Sequence, residues 1–154
     1  VANLNSGTGA TSSTFWRGDA TWEALTTTYS QSADVTTEQT TTSTTYTDLA
    51  TVGPAITMSP GLTTNQIISV SAKMWCGLSA NPGLFSSVAI AGAGALDVDA
   101  ADIDSAASAA PPIVSAMRMV RAPSVADGAT HTMKYRVGSS TGTFVNRRII
   151  GMVA

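Results

Sequence analysis

The densest run of acidic side chains in this 154-residue chain is Asp97, Asp99, Asp102 and Asp104. Oxygen ligands of this kind bind hard cations such as calcium. The spacing lacks the sixth-position glycine and the closing glutamate of a calcium loop, so nothing fixes the backbone around an ion, and the run reads as a solvated loop or helix start. His131 is the only histidine, so a Ser-His-Asp site would have to use it. It sits between Thr130 and Thr132 in a strand-like stretch without a Gly-x-Ser-x-Gly elbow, which points to a structural histidine. Metal chemistry that needs several His or Cys ligands is excluded, since Cys76 is the only cysteine. No metal and no cofactor are expected.

The remaining candidates are weaker. Gly7-Thr8-Gly9 lacks the later glycine, the preceding strand and the lysine of a phosphate-binding loop. Arg17-Gly18-Asp19 spells the tripeptide that integrins recognise, but three residues carry little information. Between Trp16 and Trp22 it reads as a tight glycine turn that sets Arg17 beside the indoles, within reach of a cation–π contact. A glycosidase needs two opposed carboxylates, and the sequence does not pair Asp19, Glu23, Asp34, Glu38 or Asp48 in that way. Cys76 reads as a small buried hydrophobe. No catalytic constellation emerges, and the chain is expected not to be an enzyme.

Composition explains what such residues are mounted on. Charged residues make up 12% of the chain, against roughly 25% in an average soluble protein. Their place is taken by 23 threonines and 18 serines, and threonine suits a pleated, half-exposed surface. A weakly charged surface of this kind loses little electrostatic solvation on contact with other protein, copies of itself included. The net charge of −2 and the scattered basic residues argue against nucleic acid, which requires Lys and Arg concentrated on one face. The start, Val1 to Gly7, has neither the basic residues nor the apolar run of a secretion signal, and a free thiol fits assembly in a reducing cytoplasm. The longest apolar stretch, Val88 to Leu96, is interrupted by glycine and too short to cross a bilayer as a helix, so no membrane partner is expected.

Residues 1–23 are rich in Gly, Ser, Thr and Asn, yet carry Phe15, Trp16 and Trp22. Each such ring can bury on the order of 150–250 Å², so this stretch is read as an extended arm that docks onto a partner. From Ala24 to Thr47 the many β-branched residues favour two edge strands joined by a loop. Ala55–Ser59 is a short strand between prolines. Ile68, Val70, Ala72 and Met74 alternate with Ser69, Ser71, Lys73 and Trp75, the period of a strand with one buried face. Asn81-Pro82-Gly83 is a turn, and Phe85–Ala91 a further strand. Asp97–Ala110, ended by Pro111-Pro112, is the one helical candidate, with an exposed loop as its alternative. Ile113–Ala122, Thr130–Val137 and Thr143–Val153 complete the set, with His131, Met133, Tyr135 and Val137 on one face and the last two strands joined as a hairpin. The expected fold is all-β: a single β-sandwich or jelly-roll-like domain over residues 24–154, preceded by the arm.

The stretch Asn3 to Trp22, with Phe15-Trp16-Arg17-Gly18-Asp19-Ala20-Thr21-Trp22 at its end, resembles a module repeated in tailed-phage virion and tail-fibre proteins, with Ala20 where the usual pattern has a second glycine. The closing stretch, Tyr135 to Gly138 and Gly142 to Ile150, looks like the last two strands of a small β-sandwich in the same class of protein. The resemblance implies a phage particle component. The first placement is a capsid decoration, or cement, protein on the capsid surface, a homo-oligomer, with trimers favoured by analogy, bound to the major capsid protein. There Phe15, Trp16, Arg17 and Trp22 would contact capsid or neighbouring subunit. The alternative is a tail-fibre or head-fibre receptor-binding domain that contacts host-surface glycans.

Overall fold

Where apolar and polar residues alternate most regularly, the backbone is extended. In the computed structural model, which describes residues 14–16, 22–24, 29–76, 83–103 and 114–154, the strands are β1 (Thr14–Trp16), β2 (Trp22–Ala24), β3 (Ser30–Val35), β4 (Gln39–Thr41), β5 (Ala55–Met58), β6 (Thr64–Cys76), β7 (Leu84–Ala89), β8 (Ala101–Ile103), β9 (Val114–Val125), β10 (Ala129–Val137) and β11 (Gly142–Val153). They form three antiparallel sheets. One is the two-stranded pair β1–β2; a second runs β5-β10-β7-β8; the third runs β3-β11-β6-β9, with β4 also paired to β11. The two larger sheets pack face to face as a β-sandwich. No helix among the described residues is long and apolar enough to cross a membrane.

Period-two patterning places the core. Ile68, Val70, Ala72 and Met74 of β6 are buried, as are His131, Met133, Tyr135 and Val137 of β10, each set facing the opposite sheet. Tyr135 and Phe144 meet across the gap with ring centroids 5.1 Å apart, within the range for favourable aromatic pairs. Cys76 is a free, buried thiol. Alternation in β6 thus reports its environment faithfully. The 24–47 stretch does contain two edge strands, β3 and β4, both on β11.

Two expectations are corrected. Thr130–Val137 and Thr143–Val153 are not a hairpin: β10 pairs with β5 and β7, whereas β11 pairs with β3, β4 and β6. The turn after Val137 carries the chain from one sheet to the other, because both strands have a long apolar face to bury and two facing sheets bury both. The crossing is tight. A Cβ on Gly142 would come within 2.5 Å of Val137 Cγ1 and 2.6 Å of Leu84 Cδ2, so only glycine fits.

The helical candidate over Asp97–Ala110 is also not a helix where it is described. Asp97–Asp99 is one 3-10 turn and Ala101–Ile103 is β8, paired with the edge of β7; residues 104–113 lie outside the described residues. Alanine's helix propensity is small per residue, and here it loses to a ladder that buries Ala100 and Ala101. Smaller differences are of boundary. The strand expected over Phe85–Ala91 ends at Ala89 in a 3-10 turn, Ile90–Gly92. β9 runs past Ala122 to Val125 and so includes Pro123, which an edge strand tolerates because its free side needs no N–H.

Candidate functional site

The proposed anchor residues fall on the two-stranded sheet. β1 and β2 pair with Thr14 opposite Ala24, Phe15 opposite Glu23 and Trp16 opposite Trp22. The arm is therefore a hairpin at this point, belonging to neither sandwich sheet. The register places Phe15, Trp16 and Trp22 on one short ladder. Arg17 and the rest of the Arg17-Gly18-Asp19 turn lie outside the described residues, as does the Gly7-Thr8-Gly9 run.

Asp97, the first residue of the acidic run, pairs with Tyr46 and Arg136, and Asp104 lies outside the described residues. Asp97 receives the Tyr46 hydroxyl at 2.7 Å and Arg136 Nε at 2.8 Å on Oδ1, while Arg136 Nη2 sits 2.7 Å from Oδ2. The Arg136 guanidinium lies 3.7 Å from the centroid of the Phe85 ring and 5.4 Å from that of Tyr46, a stacked geometry that suits a planar cation. The hydrogen bonds from Tyr46 and Arg136 hold the Asp97 carboxyl below the usual range. Burial, then the hydrogen bond to Asp97, push the Tyr46 phenol well up, so it stays a donor at any physiological pH. Among the described residues no cluster of His, Cys, Asp or Glu has the makings of a metal site. Around this ion pair Thr44, Thr45, Ala95 and Leu96 complete a shallow groove of about 450 Å³. Sequence reasoning missed it because Tyr46, Phe85, Asp97 and Arg136 are far apart in the chain and only the sheet pairing gathers them.

His131 is fully buried and structural in its contacts. Its Nε2 lies 2.8 Å from Gln66 Oε1, and its Nδ1 accepts the Ala91 N–H at 3.3 Å. This network assigns the neutral tautomer with the proton on Nε2. A second proton, on Nδ1, would confront the Ala91 N–H, and burial accordingly lowers the pKa from 6.5. The sign follows from linkage: above about pH 6.5 the ring is neutral folded and unfolded, and as pH falls below that value the unfolded chain takes up the proton first, so stability declines. Urea denaturation at pH 7.5 and pH 5 should therefore show a loss of stability that is smaller in His131→Asn. An identical loss in the variant would show that other groups set the pH dependence.

On the outer face of the five-stranded sheet, Met117 and Met119 of β9 are 68% and 54% exposed. Registers across the sheet align them with Ser71 and Ser69 of β6 and then with Arg148 and Ile150 of β11. Trp75, at the end of β6, is partly buried beside Thr143 rather than displayed. The face carries Arg148 and Asp34 near its β3 margin and exposed apolar side chains at its β9 margin. No family model matches the chain, and no curated protein does at the significance required.

Proposed function

We propose that this chain is a structural part of a tailed-phage particle, a capsid decoration protein that binds and stabilises the head. In this reading Phe15, Trp16, Arg17 and Trp22 anchor it to the major capsid protein or to a neighbouring subunit. It is assembled in the host cytoplasm, works at the capsid surface of the virion, and acts mechanically, without catalysis. The observation that carries the reading is the N-terminal hairpin, which sets Trp16 opposite Trp22 on a ladder separate from the sandwich sheets. Two indoles placed there offer, at roughly 25 cal/mol per Å², several kcal/mol of contact energy per arm before ordering costs, and symmetric copies multiply that through effective concentration. Resemblance of residues 3–22 to a phage virion module points the same way, as does the low charge of the sandwich surface.

A second reading, a fibre domain that binds host-surface glycans, is favoured by the groove at Tyr46. An aromatic ring next to the planar Asp97–Arg136 pair and the threonine hydroxyls of residues 44 and 45 is a surface on which a sugar can stack and hydrogen-bond. One experiment decides between the two. Purified protein is added to particles stripped of it and imaged by electron microscopy with symmetry averaging. Density at fixed lattice positions on the shell is the expected result. A bare shell, with density at the tail tip or binding to host cells, transfers the function to the second reading.

A further inference from the structure

β9 is a margin of the five-stranded sheet: β6 pairs one of its sides, and no described strand pairs the other. Val114 to Ala122 run against Met74 to Gln66 one residue for one, without a bulge. The regular stretch ends at Pro123 and at Ser124, whose φ is +52. Over that stretch the free N–H and C=O groups are an uninterrupted template on which another extended segment can add, with affinity from the main chain and selectivity from alternate side chains.

The side chains beside that template carry a pattern. Ser115, Met117, Met119 and Arg121 lie opposite Lys73, Ser71, Ser69 and Ile67, so all four share the outer face with Lys73, and all five are exposed. A cation therefore stands at each end of the row, with two thioether side chains between. From Ser115 to Arg121 the strand advances about 20 Å, and Lys73 is one strand further in, about 4.8 Å, with only the small Ser115 between it and the margin. Neither Lys73 nor Arg121 forms an ion pair with a described residue. Asp34, which shares this face, is at the far margin beside Arg148. Arg118 faces the other way and donates to the Val98 carbonyl at 2.9 Å. The pattern also disfavours a second β9: brought up antiparallel and centred on Arg118, it would set Arg121 of one copy beside Ser115 and Lys73 of the other, cation near cation at both ends.

We propose that the β9 margin is a docking edge for an extended segment of a different protein, added as a further strand of this sheet, with the side-chain pattern acidic-x-apolar-x-apolar-x-acidic. Its apolar side chains lie against Met117 and Met119. Its carboxylates meet Arg121 at one end and, over Ser115, Lys73 at the other. Because the row has a cation at both ends, the pattern fits in either chain direction. The inference goes beyond the decoration reading, which places the arm at the contact, and does not depend on it.

A synthetic peptide of that pattern, acetyl-Glu-Thr-Val-Thr-Val-Thr-Glu-amide, titrated into the full chain and followed by NMR, tests it. The expected result is saturable binding with a Kd below about 1 mM, with slowed amide exchange between residues 115 and 121. In an added strand only every second N–H faces β9, so one of the two alternating patterns of backbone N-methylation should abolish binding and the other retain it. Lys73→Glu with Arg121→Glu, both at exposed positions, should weaken binding at least about tenfold with unchanged circular dichroism and thermal midpoint. A version of the peptide with Lys at both ends should then bind that variant more tightly than it binds the parent. Absence of saturation, equal effects of the two methylation patterns, or indifference to the charge exchange overturns the proposal. So does a dimer in sedimentation velocity whose β9 amides are protected before any peptide is added, which gives the margin to a second copy.

Discussion

Arg147→Ala is expected to lower the unfolding free energy by about 3–5 kcal/mol, the scale for deleting a large buried side chain and leaving buried carbonyl acceptors without their donor. Arg147 is fully buried in the middle of a strand whose other charged neighbour, Arg148, reaches solvent. The cause is a bulge in β11: between Val145, opposite Lys73, and Arg148, opposite Ser71, β11 takes three steps against two on β6, with Asn146 at φ +47. The extra residue reverses which side chains face inward. The Arg147 guanidinium donates from Nη1 to the carbonyls of Thr51 and Gly53 at 3.3 and 3.2 Å, and from Nη2 to the Thr37 carbonyl at 3.4 Å and Gln39 Oε1 at 2.9 Å. Gln39 Oε1 also accepts the Thr51 N–H, and the Tyr135 hydroxyl donates to the same Gly53 carbonyl.

One cation thus fastens β4 and the long segment before β5 to the centre of the sandwich. Alanine leaves those acceptors without their donor and opens a void beneath them. Arg147→Lys should fall between, because a single ammonium cannot reach carbonyls on both sides. Arg148→Ala, at a half-exposed site, should cost under about 0.5 kcal/mol. Urea denaturation of the three variants makes the comparison, and an Arg147→Ala protein within about 1 kcal/mol of the parent would show that the segment is held by its other contacts.

Under the proposed decoration role, Trp16→Ala combined with Trp22→Ala is expected to weaken particle binding by more than about a hundredfold, since buried tryptophans are the residues that most often dominate an interface. The thermal midpoint of the sandwich should hardly move, because β1 and β2 pair with each other and with neither large sheet. Particle occupancy measured by gel densitometry after sedimentation, alongside a thermal melt, reads both quantities. Unchanged occupancy with an unchanged melt removes the arm from the docking account. Loss of both would mean that the indoles support the fold rather than a partner.

Much of the architecture is legible in the residues. The alternation Ile68, Val70, Ala72, Met74 names the inward face of β6, and His131, Met133, Tyr135, Val137 that of β10, because a strand's side chains strictly alternate and only one face can be dry. The lone His131 reads as structural from the absence of partner motifs, and its buried contacts agree. Local signals fail where the answer depends on a distant strand. A turn sequence between two apolar strands is compatible with a hairpin or with a crossing between sheets, and the close approach of Gly142 to Val137 and Leu84 appears only once the sheets are stacked. Residues 97–103, with two alanines among three aspartates, carry a weak helical preference that the edge of β7 overrides.

What the sequence by itself determined is the all-β class, the strands with clean alternation and the low-charge surface, since each follows from local period and composition. Tertiary structure alone decided two things: that Arg147 points inward, and that Asp97 belongs to Tyr46 and Arg136. Each depends on register between strands far apart in the chain, and a single bulge residue at Asn146 is enough to exchange the inside of a strand for its outside.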